Sequence, residues 1–114
     1  MSALDETLSA LADPTRRAVV DLLRRRPHRA GDLAETLGAS APAMSRHLKV
    51  LRTCGLVEED HAGDDARVRV YRLRPAPFRE LRRWIEGVEE FWESELASFA
   101  RHAERTRGSA RGRQ

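Results

Sequence analysis

Two short stretches of the chain carry basic side chains and no acid. Residues 41–54 hold Arg46, Lys49 and Arg52, and residues 67–74 hold Arg67, Arg69, Arg72 and Arg74, local charges of +3 and +4. Such groups bind phosphate well, and a guanidinium can also donate two parallel hydrogen bonds to guanine O6 and N7. Arg46 is the residue best suited to that base contact, and Ser45 adds a hydroxyl for a base edge or a phosphate. Lys49 is a compact point charge suited to phosphate.

The residues that could catalyse are arranged differently. Ser45 and His47 are two apart, which on a helix points them away from each other and prevents a nucleophile and base pair. His28, His47, His61 and His102 fall at no ligand spacing, and a metal site needs about three or four converging groups. Cys54 is the lone cysteine, so no internal disulfide framework exists. It reads first as a small, partly buried side chain, with a thiol switch as the alternative. The expectation is no enzyme, no cofactor and no metal.

The 114 residues carry 21 basic and 18 acidic side chains, a formal charge of +3. Arg105, Arg107, Arg111 and Arg113 supply the excess: without residues 105–114, seventeen basic groups face eighteen acidic ones, a net −1. Bulk basicity therefore belongs to the tail, and the two local stripes are what point to a polyanionic partner. The length fits one domain. No apolar run approaches the roughly 18 residues of a spanning helix. The stretch Met1-Ser2-Ala3-Leu4-Asp5-Glu6 lacks the apolar core of a signal peptide. No membrane partner and a cytoplasmic setting are expected.

For the basic residues to act together, helices and a turn must place them on one side. Leu4, Leu8 and Leu11 recur at i, i+4 and i+7, predicting a first helix over 3–11. Asp13 followed by Pro14 is an N-cap and first-turn proline for a second, which runs to about Arg25 with Val19, Leu22 and Leu23 inward. A third helix spans 30–37, with Leu33, Ala34 and Leu37 inward and Gly38 as its left-handed stop. Ser40 caps a fourth that runs to about residue 53 or 54, with Met44, Leu48 and Leu51 inward, and Gly55 ends it. Two short helices joined across Gly38-Ala39-Ser40 make a helix-turn-helix.

Residues 56–61 and 67–73 then read as a β-hairpin around a Gly- and Asp-rich turn at 62–66. In its second strand Val68 and Val70 share one face and Tyr71 and Leu73 the other, so either a bulge or two-sided cover is expected. A fifth helix follows from about Pro77 to Arg105, about 40 Å at 1.5 Å per residue. Phe78, Leu81, Ile85, Val88, Trp92, Leu96 and Phe99 form its stripe, widened by Trp84 and Phe91. Residues 106–114 lack apolar content and are expected to be a disordered basic tail, leaving 1–105 as the folded domain.

This is a mainly α architecture with a small hairpin, a winged helix-turn-helix with a long last helix. With the fourth helix's stripe turned inward, Pro42, Arg46, Lys49 and Thr53 face outward, flanked by Ala43 and Ser45. The expected DNA-contacting set is Ser40, Pro42, Ala43, Ser45, Arg46, His47 and Lys49, joined from the hairpin by Arg67 and Arg69. His47, on the border of the stripe, packs or meets a phosphate. Asp64 and Asp65 at the hairpin tip would repel the DNA backbone, so the flank and not the tip is the expected contact.

The chain resembles the ArsR family of bacterial winged-helix repressors over about residues 4–104. The resemblance lies in Leu8-Ser9-Ala10-Leu11-Ala12-Asp13-Pro14-Thr15-Arg16-Arg17, in Ser40-Ala41-Pro42-Ala43-Met44-Ser45-Arg46-His47-Leu48-Lys49-Val50-Leu51, in Gly55-Leu56-Val57 and in Val70-Tyr71-Arg72-Leu73. It implies a homodimer that binds a palindromic operator in double-stranded DNA, often at its own promoter, and represses by blocking polymerase. It also implies a dimer interface on the first and last helices, here Leu4, Leu8, Leu11, Trp84, Val88, Phe91, Trp92, Leu96 and Phe99. Metal-sensing members place a Cys-x-Cys pair in or just before the recognition helix, or His and Asp ligands on the last helix. Gly31-Asp32-Leu33-Ala34-Glu35 has no thiols, and the last helix offers only His102 with Glu104 nearby. The segment Phe91-Trp92-Glu93-Ser94-Glu95-Leu96-Ala97-Ser98-Phe99 is similar to the branch without metal motifs. Two other readings compete with the plain repressor: a metal- or redox-responsive sensor, and a helical module that binds another protein through its last stripe.

Overall fold

The chain's polar residues start and stop its helices, as the computed structural model shows for residues 2–61, 63–64 and 67–112, with side chains described to Arg107. Helix α1 (Ala3–Ala10) opens on a capping box: Ser2 Oγ accepts from the Asp5 N–H and the Asp5 carboxylate from the Ser2 N–H, both at 3.2 Å. Its far end has no basic residue of its own. Arg16 instead donates to the Ala10 and Ser9 carbonyls at 2.7 and 3.3 Å, and Arg17 to that of Leu11 at 2.8 Å. These bonds close carbonyls that a helix end leaves open.

Helix α2 (Pro14–Leu23) begins as expected, with Asp13 accepting from the Arg16 N–H at 3.0 Å and Pro14 in the first turn. Helix α3 (Ala30–Leu37) ends at Gly38, whose φ of 65° is the left-handed geometry that glycine adopts without strain. Helix α4 (Ala41–Thr53) starts at Ser40, whose Oγ accepts from the Ala43 N–H at 3.2 Å. Gly55, at φ 81°, turns the chain into β1 (Val57–His61), which pairs antiparallel with β2 (Arg69–Leu73).

The register runs without interruption from Val57 opposite Leu73 to His61 opposite Arg69. The ladder therefore contains no bulge, and two-sided cover is the arrangement found. Tyr71 and Leu73 pack toward the core while Val70 is half-buried on the other face. Of the expected hairpin turn, Ala62, Asp65 and Ala66 lie outside the described residues. An unexpected bridge anchors β2 from its other edge: Tyr71 N–H donates to the His28 carbonyl at 2.8 Å, and His28 N–H to that of Tyr71 at 3.2 Å.

The core joins Val19 and Leu23 of α2, Leu33 and Ala34 of α3, and Met44, Leu48 and Leu51 of α4 with Leu56 and Val57. On α1 the buried residues are Thr7 and Ala10, and the Thr7 hydroxyl is satisfied by the Ala3 carbonyl at 3.0 Å. Leu11 packs on the core, Leu4 is half-buried and Leu8 is exposed.

Helix α5 spans Pro75–Gly112, so it starts one proline earlier than expected and its helical backbone continues past Arg105. The chain divides into two units after Leu81. In the first, Phe78 packs against the core. In the second, Trp84, Ile85, Val88, Phe91, Trp92, Leu96 and Phe99 are exposed, from 38% at Val88 to 72% at Phe99. The Phe91 and Trp92 rings meet edge to face at 5.7 Å.

The hydrogen bond from the Arg16 N–H, aided by the Arg16 and His47 charges, holds the Asp13 carboxyl below the ordinary value of 3.8. A carboxyl lowered by folding stabilises the fold above the unfolded value, and that stabilisation is lost as pH falls through the folded value. Asp13→Ser keeps a capping hydroxyl but cannot titrate. The urea midpoint of the wild type should exceed that of Asp13→Ser at pH 6, and the gap should close below about pH 4; a gap that does not change with pH would count against this role.

Candidate nucleic-acid interface

Burial of Met44, Leu48 and Leu51 sets the rotation of α4. Steps of 100° per residue then turn Pro42, Arg46, Lys49 and Thr53 to the opposite side, and all four are exposed, as is Ser45. Arg46 and Lys49 make no hydrogen bond or ion pair among the described residues. Their charges are therefore available to an external anion, and the positive end of the α4 dipole lies at Ser40 on the same element.

Other members of the expected set are less open. Ala43 is half-buried. His47 is also half-buried, and its Nδ1 lies 3.9 Å from Asp13 Oδ1, so the ring ties α4 to the start of α2. Cys54, the C-cap of α4, is half-buried and packs against the core.

The hairpin's basic stripe looks different once its partner strand is in place. Residues 67–74 contain no acid, but β1 sets Glu59 and Asp60 against them. Arg72 Nη2 lies 3.1 Å from Asp60 Oδ2, and Arg69 Nη1 lies 3.8 Å from Glu59 Oε2. Arg52 Nη1, from the end of α4, reaches the same Glu59 oxygen at 3.3 Å. The other oxygen, Oε1, accepts from the Tyr71 hydroxyl at 2.8 Å. Partial burial, and then the hydrogen bond to Glu59, push the Tyr71 phenol above its ordinary value of 10.0, so it remains a donor. Arg67 and Asp64 are exposed.

The structure thus brings Ser45, Arg46 and Lys49 onto one exposed face and sets Arg69 at the hairpin flank. Sequence reasoning missed Glu59 and Tyr71. The acidic run Glu58-Glu59-Asp60 was the available signal, but assigning its partners requires the strand register. Among the described residues no three His, Cys, Asp or Glu side chains converge to hold a metal ion. No helix there is long and apolar enough to cross a membrane.

The pattern described as bacterial regulatory protein, arsR family, matches residues 13–59. The HTH-type transcriptional regulator Rv2034 of Mycobacterium tuberculosis is 43% identical over 96 residues, 84% of each chain. A solved ArsR-like transcriptional regulator from Rhodococcus is 32% identical with a TM-score of 0.72, over 90% of this chain and 91% of that one. The chain belongs to the ArsR family. Further relatives of this ArsR-family chain include the transcriptional repressor SdpR of Bacillus subtilis, 35% identical over 53% of this chain and 67% of that protein. The fold is shared with a homodimeric winged helix-turn-helix DNA-binding domain from Mycobacterium bovis, at a TM-score of 0.61 and 23% identity over 77% of this chain and 79% of that one. The ArsR-family chain is thus a DNA-binding transcriptional regulator and not an enzyme.

In this ArsR-family regulator, Arg46→Ala should cost about 1–3 kcal/mol on its best duplex and relax the preference at one base position. Lys49→Ala should weaken all duplexes alike and lower the salt dependence by about one phosphate contact. Titration of labelled specific and random duplexes at several salt concentrations measures both. An equal loss on both duplexes for Arg46→Ala would remove its base-reading role.

Proposed function

We propose that two copies of this chain bind one palindromic operator, with Arg46 and Ser45 at base edges and Lys49, Ser40 and Arg69 at phosphates, and that this occupancy represses transcription. The observation that carries the reading is the exposed outer face of α4, on which Arg46 and Lys49 have no partner among the described residues. The major groove, about 12 Å wide, accepts one such helix. The printed role of the Bacillus subtilis relative as a repressor supports the sign of the regulation. Autoregulation at the chain's own upstream DNA, and a cytoplasmic site of action, belong to the same reading.

The dimer rests on a second observation. Seven large apolar side chains of α5 lie exposed along residues 84–99, a surface of the kind that marks an interaction site. Leu8 on α1 is likewise exposed. The homodimeric state of the Mycobacterium bovis domain supports a second copy as the cover. Two-fold symmetry would set the recognition helices about 34 Å apart, one turn of the duplex.

Footprinting of DNA upstream of the reading frame should reveal a protected palindrome, bound with an affinity that falls linearly in log–log form with salt at a slope of about −0.9 per phosphate contacted. Binding indifferent to both sequence and salt would overturn the reading. Trp92→Ala should weaken the dimer by about 2 kcal/mol or more, the usual scale for a buried aromatic anchor. Sedimentation across a dilution series reads this out, and an unchanged dimer would move the interface off this stripe.

A further inference from the structure

One acidic side chain sits inside the basic surface, and its contacts are specific. Glu59 lies opposite Tyr71 in the β ladder, on the same face as Val57 and Leu73. Tyr71 is held through its backbone by His28 and through its hydroxyl by Glu59 Oε1. The carboxylate is therefore the fixed partner, one-quarter exposed, while the Arg52 and Arg69 side chains that share its other oxygen are 59% and 65% exposed. Beside it, Ser45, Lys49, Arg52 and Thr53 of α4 line, with Leu48 and Tyr71, a cleft of about 340 Å³. Ser45, Lys49 and Arg52 follow one another at i, i+4 and i+7, so they form a single row along that cleft.

We propose that the point where Arg52, from this cleft, and Arg69, from the hairpin, converge on Glu59 Oε2 is a DNA backbone-phosphate site with those two arginines as ligands and Lys49 beside them, and that Glu59 is a built-in competing anion that limits its affinity. The inference rests on the reading of this face as the DNA-binding surface. Two guanidiniums that reach one carboxylate oxygen are spaced to reach one phosphate oxygen as well, and each retains unused donors. Glu59 cannot leave, because the strand register and Tyr71 hold it. An approaching phosphate must draw the arginines away from a charge that stays nearby and repels it. Nonspecific affinity comes almost entirely from phosphate contacts, so Glu59 sets the absolute strength of binding on any duplex. Base preference remains with Arg46.

The test uses the full chain with an operator duplex and a random duplex of equal length. Glu59→Gln keeps the shape and an acceptor for Tyr71 but removes the charge. It should tighten binding to both duplexes by a similar factor, on the order of three- to tenfold at 0.1 M salt, and steepen the salt slope by about one phosphate contact. Glu58→Gln, the same charge change at an exposed neighbour on the opposite face of β1, should change affinity less than twofold. Adding Arg52→Ala to Glu59→Gln should cancel the gain. Should Glu59→Gln fail to fold by circular dichroism, Glu59→Thr is the substitute, since threonine suits a strand. Weaker or unchanged binding by Glu59→Gln, or an equal gain from Glu58→Gln, would overturn the proposal. If Arg46→Ala still relaxes the preference at one base position in that case, the DNA-binding reading stands and only the phosphate site falls.

Discussion

The rotation of α4 about its own axis is the constraint on which the rest of the site depends. Met44, Leu48 and Leu51 are essentially inaccessible to solvent, and fully burying one such side chain contributes about 1.5–3 kcal/mol. An exposed ion pair such as Arg52 with Glu59 contributes about 0–1 kcal/mol. Turning the helix by one residue would expose most of that stripe, and no set of surface pairs offsets such a loss. Packing therefore decides which side chains look outward. Arg46 and Lys49 face solvent because three apolar residues face the other way, and Ser40 and Gly38 fix where the helix begins.

The hairpin obeys a different balance. Its two strands offer too little apolar surface to stand alone, and it is attached to the body by Val57, Tyr71 and Leu73 packed in or against the core and by backbone bonds. The His28 bridge holds one edge of Tyr71, and the Arg74 N–H reaches the Leu56 carbonyl at 2.9 Å. With the backbone placed, charge is distributed by register. Because side chains alternate across a strand, Glu59 shares a face with Tyr71 and Arg69, while Asp60 meets Arg72 from the other. The hairpin presents a surface that is basic but partly neutralised, in contrast to the uncompensated outer face of α4.

This contrast also explains what was legible in the sequence. Helix starts and stops at Asp13-Pro14, Gly38, Ser40 and Gly55 rest on local chemistry within three or four residues, and the buried stripes follow from a period of 3.6. Each was readable without a structure. The missed features join residues across the turns between elements or farther apart: His28 to Tyr71, Arg52 to Glu59, and Arg16 and Arg17 to the carbonyls of Ala10 and Leu11 at the end of α1. A count that finds no acid in residues 67–74 is correct as arithmetic, yet it misjudges the local field, because the neutralising groups come from the paired strand. Helix ends are also weakly specified where composition alone decides. The α5 backbone stays helical to Gly112, although Thr106, Gly108, Ser109 and Gly112 are weaker helix formers than the arginines and alanine between them.

The apolar surplus of α5 follows from the same economy of surfaces. In the first unit, residues from four helices and a strand cover one another, so even the small α1 buries Thr7 and Ala10 completely. In the second unit a single helix carries two tryptophans and two phenylalanines with nothing from its own unit to cover them. Helices in proteins gain most of their stability from packing an amphipathic face, so a stripe this wide points to a surface supplied from elsewhere. In the proposed dimer a second copy would supply an identical stripe by symmetry, and two-fold symmetry is also what a palindromic duplex presents. On the proposed reading, dimerisation and operator geometry are one requirement expressed at two places in the chain.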